Sequence, residues 1–141
     1  MFDTDIASIL GSCRTIAVVG LSPRPERASF DVASYMQAQG YRIIPVNPNA
    51  GVAQILGETV YANLLEASQA ANIDLVNCFR NSEDIPPIID DAIAIKAQAV
   101  WMQIGVMHAA AAAKAQAAGL KVVQNRCLKI DHRAWRAKQQ P

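Results

Sequence analysis

The stretch TIAVVGLSPRPERASFDVASYMQAQGYRIIPV, residues 15–46, sets the architecture. TIAVV (15–19) and RIIPV (42–46) are short apolar runs rich in β-branched residues, the pattern of strands buried on both faces. Between them, SFDVASYMQAQ (29–39) places Val32, Tyr35, Met36 and Gln39 at helical spacing. Gly40 follows, where a residue in the left-handed region ends a helix. Strand, helix and strand in this order make a parallel crossover unit.

The pattern continues outward. DLVNCF (74–79), AVWMQ (99–103) and LKVV (120–123) read as further strands. PIIDDAIAI (87–95) and the alanine-rich HAAAAAKAQAA (108–118) read as the intervening helices. The junctions QAQGYRII, IKAQAVWM and QAAGLKVV resemble one another, as repeated helix-to-strand units do. A leading helix is expected over 4–11 and a closing one over 131–138. Segment 50–71 reads as an irregular crossing with a short helix near 63–68. Strands alternating with helices predict an α/β fold, one doubly wound parallel sheet in a single domain over 1–141. The expected strand order is 3-2-1-4-5. Pro45 inside RIIPV sits awkwardly in this scheme, since proline removes a ladder donor.

The 141 residues, 52% hydrophobic and 18% charged, describe a globular chain. No apolar stretch has the length of a membrane span, and MFDTDIASIL lacks the basic start of a secretory signal. A cytoplasmic location is the default expectation. Cys13, Cys78 and Cys127 form no C-x-x-C pair, and with only His108 and His132 beside them no metal spacing exists. The net charge is +1, but Arg126, Lys129, Arg133, Arg136 and Lys138 against Asp131 give the C-terminal segment +4. That asymmetry marks either an anion site or a solvated amphipathic helix. A nucleic-acid binder would show a broader basic field with interleaved aromatics.

In doubly wound sheets, ligands sit beyond the carboxyl ends of the strands, where the strand order reverses. With the order 3-2-1-4-5 that point lies between strands 1 and 4, flanked by GLSPRPERAS (20–29) and QIGVM (103–107). NPN (47–49) and RNSED (80–84) border the same edge. In the first loop, Gly20 lets the backbone turn and a ligand approach closely. Leu21 and Ser22 offer N–H groups, and Pro23 and Pro25 stiffen the bend. Arg24 and Arg27 carry forked donors for anions. Ser29 is placed to cap the next helix, whose positive end attracts phosphate. The alternative is a loop that its arginines simply solvate. The dinucleotide fingerprint needs G-x-G-x-x-G here and an acid after the second strand. The chain has GLSPRP and IIPVNPN instead. A P-loop motif is absent as well.

These segments, with LGETVYANL, VNCFRNSEDIPPIIDDAI, AVWMQIGV and VVQNRCLKIDH, resemble the stand-alone CoA-binding domain proteins, related to the N-terminal CoA-binding domain of the succinyl-CoA synthetase α subunit. The resemblance runs through residues 14–133. It implies a Rossmann-like five-stranded domain with coenzyme A as ligand. By position it implies Gly20, Leu21 and Ser22 at the phosphates with Arg24 and Arg27 nearby, and Asn47, Pro48 and Asn49 against the ligand after the second strand. Phe79 and Arg80 would line the adenosine end, and Gln103, Ile104, Gly105 and Val106 the pantetheine arm. The chain departs from the family pattern at Ala28, Asn81 and Gln124.

The related ligase carries its phosphorylated histidine in a second domain, and neither histidine here lies in one. No catalytic set emerges: Asp90 and Asp91 are adjacent on a helix and point apart. Cys127, between Arg126 and Lys129, is the best chemical candidate. The two cations could favour its thiolate, and it could exchange with the thiol of coenzyme A; otherwise it is a small residue holding a turn. The expected function is binding of CoA or acyl-CoA at the C-terminal edge of the sheet by a module without catalysis. The alternatives are a nucleotide-cofactor enzyme, either an NAD(P)-dependent oxidoreductase or a subunit of a split acyl-CoA ligase. A third is an interaction protein that kept the fold and lost the ligand. A small molecule is the expected partner, without nucleic acid, membrane or metal. A protein partner stays open.

Overall fold

A computed structural model describes residues 4–139. Its elements run α1 (Thr4–Ser12), β1 (Thr15–Val19), α2 (Ala28–Ala38), β2 (Arg42–Val46), β3 (Gln54–Ile55), β4 (Glu58–Thr59), α3 (Leu64–Ala70), β5 (Leu75–Cys78), α4 (Ile85–Ala94), β6 (Ala99–Met102), α5 (Ala109–Ala117), β7 (Lys121–Val123) and α6 (Leu128–Gln139). Five strands form one parallel sheet in the order β2-β1-β5-β6-β7. The fold is α/β, doubly wound and Rossmann-like, as the alternating pattern predicts. The antiparallel pair β3–β4 was not anticipated within 50–71. The outermost residues, 1–3 and 140–141, of the expected 1–141 domain lie outside the described ones, as does the start of MFDTDIASIL.

The strand order requires a correction. Counting only the five sheet strands, the expected 3-2-1-4-5 is in fact 2-1-3-4-5, with β2 at the edge and β5 beside β1. Pro45 supplies the reason. Its carbonyl accepts from the Tyr61 N–H at 3.0 Å on the side of β2 away from β1, and Tyr61 closes the bridge by accepting from Asn47 N–H at 2.8 Å. On that side proline has no N–H to give, so a neighbouring strand there would lose a ladder bond. A proline strand belongs at an edge. Arg42 joins Glu58 at 3.0 Å and draws the small β3–β4 hairpin over the same edge. The reversal of strand order, and with it the expected ligand crevice, therefore lies between β1 and β5.

Two apolar layers hold the helices. Leu64 and Ala67 of α3, Ile85 and Ile89 of α4, and Ala111 and Ala115 of α5 pack on one face, with Ala17, Val76 and Val100 of the sheet. Ile9 and Leu10 of α1, Val32 and Met36 of α2, and Leu128 of α6 pack on the other, with Ile16, Leu75 and Trp101. The alanines of α5 let that helix lie close to the sheet, as expected from their size. Trp101 is fully buried and donates from Nε1 to the Arg126 carbonyl at 2.9 Å. The three similar helix-to-strand junctions share one backbone solution. Gly40 (φ 99°), Lys96 (φ 60°) and Gly119 (φ 94°) each take the left-handed position after a helix, so Lys96 bears the strain that glycine avoids in the other two.

Candidate functional site

The loop after β1 is built by its own contacts. A Cβ on Gly20, whose φ is 90°, would lie 2.4 Å from the Phe79 carbonyl oxygen. Glycine is required here because the turn presses against the chain leaving β5, a different reason from ligand approach. Leu21 is fully buried, and its carbonyl accepts from Asn47 Nδ2 at 2.9 Å. Ser22 N–H donates to Ser29 Oγ at 3.0 Å, and Ser22 Oγ accepts from Arg24 N–H at 3.1 Å. The expected cap at Ser29 is corrected by this bond: α2 begins at Ala28, so Ser29 lies inside its first turn and serves the loop instead. No side chain caps the α2 N-terminus. Its first-turn N–H groups are left for solvent or an anion. Arg24 and Arg27 stand exposed beside them, Arg24 joined to Glu26 at 3.1 Å.

A cleft of about 520 Å³ opens at this place, over the carboxyl ends of β5 and β6. Of the anticipated residues it gathers Phe79, Arg80, Gln103, Ile104, Val106 and Cys127; it adds Ala28, Asp31, Val32 and Asn81. The loop after β6 is tied down on both sides. Gly105 N–H donates to Asn125 Oδ1 at 2.7 Å, and Met107 N–H donates to Ser82 Oγ at 2.9 Å. Ile104 lines the cleft and is 64% exposed, and Met107 of the same loop is 53% exposed.

Arg80 borders a second hollow of about 310 Å³ on the other face of the sheet, together with Gly20, Pro48, Leu64 and Ile88. Its guanidinium meets Asp84 at 3.3 Å. Asp91 also lines this hollow, and burial, reinforced by the Asp90 charge, raises its carboxyl pKa. Asp90 turns away to Lys114 at 2.6 Å, so the two carboxylates do point apart. Asn47 is spent within the protein, since its Oδ1 accepts from Asn49 N–H at 2.9 Å. Asn47 and Pro48 border a third, shallower hollow beyond β2.

The basic residues around Cys127 are turned elsewhere. Arg126 makes a bidentate pair with the buried Asp131, Nε–Oδ2 at 2.7 Å and Nη2–Oδ1 at 2.9 Å. Lys129 bonds Asp31 at 3.0 Å and lies 5.6 Å over the Tyr35 ring. Cys127 remains a half-buried thiol on the cleft wall. The other two thiols are out of reach: burial pushes Cys78 up to about 12 and, with Asp74 adding, Cys13 up to about 11. His108 caps α5, Nδ1 accepting from Ala111 N–H at 3.1 Å. His132 pairs with the Tyr35 hydroxyl at 2.8 Å. Among the described residues no cluster suits a metal ion, and no helix is long and apolar enough to cross a membrane.

One polar residue under the cleft was overlooked in the sequence. Asn77 sits in the apolar strand LVNC, fully buried. Its Nδ2 donates to Gln103 Oε1 at 3.1 Å, and that oxygen also accepts from Leu128 N–H at 3.0 Å. Gln103 thus caps α6 from the end of β6. The signal was available: an asparagine within an apolar run breaks the strand pattern.

The chain as a whole has clear counterparts. The Bacillus subtilis (strain 168) protein YneT is 38% identical over 128 residues, covering 91% of this chain and 92% of its own. A hypothetical protein from Pyrococcus horikoshii OT3 superposes with a TM-score of 0.88 at 34% identity, over 96% of this chain and 92% of that one. A dinucleotide-forming acetyl-coenzyme A synthetase 1 of Ca. Korarchaeum cryptofilum shares the fold, with a TM-score of 0.64 at 19% identity, over 77% of this chain and 25% of the synthetase. The profile of the CoA binding domain matches residues 14–133, and the chain belongs to that family.

Proposed function

We propose that the protein binds coenzyme A or an acyl-CoA in the cleft between α2 and the carboxyl ends of β5 and β6, as a binding module without catalysis of its own. The observation that carries this reading is the uncapped α2 N-terminus opening beside that cleft, with exposed Arg24 and Arg27 at its approach. Helix N–H groups and forked guanidinium donors suit phosphate oxygens. Phe79, Val32, Ile104 and Val106 give the cleft an apolar lining for the uncharged arm. Membership of the CoA-binding domain family supports the same ligand. The cleft brings together one thiol, Cys127, and no nucleophile–base pair, which favours binding over chemistry. The cation pairs of Arg126 and Lys129 leave the thiol-exchange reading of Cys127 to its position alone.

Thermal unfolding with CoA, acetyl-CoA, NAD, NADP and ATP added separately tests this. A ligand at 100 times its Kd adds about 2.7 kcal/mol of stability. CoA or acetyl-CoA is expected to give that gain, and NAD none. In the Arg24→Ala, Arg27→Ala double variant the CoA affinity is expected to fall about tenfold, with the unliganded Tm unchanged because both side chains are exposed. A gain from NAD and none from CoA would overturn the reading.

A further inference from the structure

The interior of the sheet holds one violation of the usual rules. Asn77 Oδ1 is the single buried side-chain polar atom without a hydrogen-bond partner among the described residues. It lies in a strand whose other members, Leu75, Val76 and Cys78, are apolar and buried. An orphaned acceptor of this kind costs stability, whereas an apolar side chain of similar size would cost nothing there. Residues that break a local rule in this way cluster at functional sites.

The violation has a consequence one residue away. Gln103 Oε1 accepts from both Asn77 Nδ2 and Leu128 N–H. The amide cannot be flipped, because its NH2 group would then face two donors. Asn77 cannot be flipped either, since its oxygen would meet Gln103 Oε1 and the Trp101 carbonyl, 3.4 Å from Nδ2. The orientation of Gln103 is therefore set from beneath, and Nε2 is its remaining polar group. Nε2 makes no hydrogen bond among the described residues, yet it is not sealed off, and Gln103 lines the cleft. The cleft so contains a fixed, uncharged N–H donor, in a lining that holds the apolar Val32, Phe79 and Val106 with the Cys127 thiol, and also Asp31, Arg80 and Asn81.

A fixed donor without charge suits a neutral acceptor such as a carbonyl oxygen, whereas the charged groups of a ligand have the arginines to meet. We propose that Gln103 is a specificity-determining residue that donates from Nε2 to a carbonyl of the ligand's uncharged arm, amide or thioester, and that Asn77 is the residue that positions it. This rests on the reading that the cleft binds CoA or acyl-CoA. It explains why a stability cost is retained in the middle of the sheet: Asn77 locks the acceptor side of Gln103 so that the donor side is always offered.

The test is calorimetric titration of the full chain with CoA, acetyl-CoA and adenosine 3′,5′-bisphosphate, which lacks the arm. In Gln103→Glu the side-chain oxygens still accept from Leu128 and Asn77, but the donor is gone. Affinity for an arm-bearing ligand is expected to fall about tenfold, with the bisphosphate within about twofold of wild type. Loss confined to acetyl-CoA assigns the thioester carbonyl; loss for both CoA and acetyl-CoA assigns an amide. Asn77→Leu is expected to keep or raise the Tm while weakening the arm-bearing ligands by a smaller factor. Equal losses for all three ligands, or none for any, overturn the proposal while CoA binding stands. If wild type binds none of the three, the CoA reading fails and the proposal falls with it.

Discussion

Asp74 and Asn77 lie three positions apart, at the entry to β5 and within it, and the protein treats them oppositely. Asp74 is saturated. Its Oδ2 accepts from the N–H groups of Arg14 and Thr15 at 2.9 and 3.0 Å, and its Oδ1 accepts from Gln98 Nε2 at 3.3 Å. Two further polar side chains on that side are paired within the protein. Tyr41 donates to the Leu10 carbonyl at 2.7 Å, and the buried His132 is bonded to Tyr35. Asn77, toward the other end, keeps an unpaired oxygen beneath a cleft whose wall offers an unpaired donor and whose neighbouring helix is uncapped. One end of the strands spends its polar groups on holding the fold. The other leaves an amide oxygen and a helix N-terminus without a side-chain partner among the described residues.

Gly20→Ala is the harshest way to break this contrast, because it asks whether the open end also has structural demands. A left-handed φ costs an alanine about 1–2 kcal/mol, and relieving the contact with the Phe79 carbonyl adds a similar amount. A loss of about 3 kcal/mol is expected, read by denaturant unfolding, with weakened CoA binding as the loop moves. An unchanged midpoint would show the turn to be more yielding than its 2.4 Å contact implies. Asp74→Ala should cost somewhat less, about 2 kcal/mol, since the freed N–H groups at this half-buried site regain water. Its CoA affinity should equal that of wild type. A drop in affinity there would erase the distinction between the two ends.

The smallest effect concerns pH. Burial, aided by the Arg136 charge, holds the His132 pKa below its ordinary 6.5. In the unfolded chain the imidazole titrates at the ordinary value, so the unfolded state binds the proton first. The stability tied to neutral His132 is complete above about pH 6.5 and is lost as pH falls below it. Tm measured from pH 7.5 to pH 5 should therefore decline more steeply in wild type than in His132→Gln. Parallel curves would mean that the ring is more open to water than its 2% exposure indicates.

The sheet strands and six helices were legible because short apolar runs, helical spacing and glycine punctuation are local properties. The closing helix starts at Leu128 instead of 131, because Gln103, far off in the chain, accepts from the Leu128 N–H and caps it there. The β3–β4 pair was missed because each strand has two residues, too few to show a period. The residues expected to meet a ligand divide into two groups. Phe79, Arg80, Gln103, Ile104, Val106 and Cys127 meet in the cleft, whereas Arg126 and Lys129 turn to Asp131 and Asp31.

By itself the sequence determined the alternation of strands and helices and marked RIIPV, through Pro45, as a strand that one neighbour cannot pair with fully. Only the tertiary structure decided which strand lies beside β1, which cations are already paired, and that one asparagine and one glutamine share a bond beneath the cleft. The physical reason is range. Periodicity and turn chemistry act between residues a few positions apart, while strand order, ion pairing and the satisfaction of buried polar atoms depend on groups that only folding brings into contact.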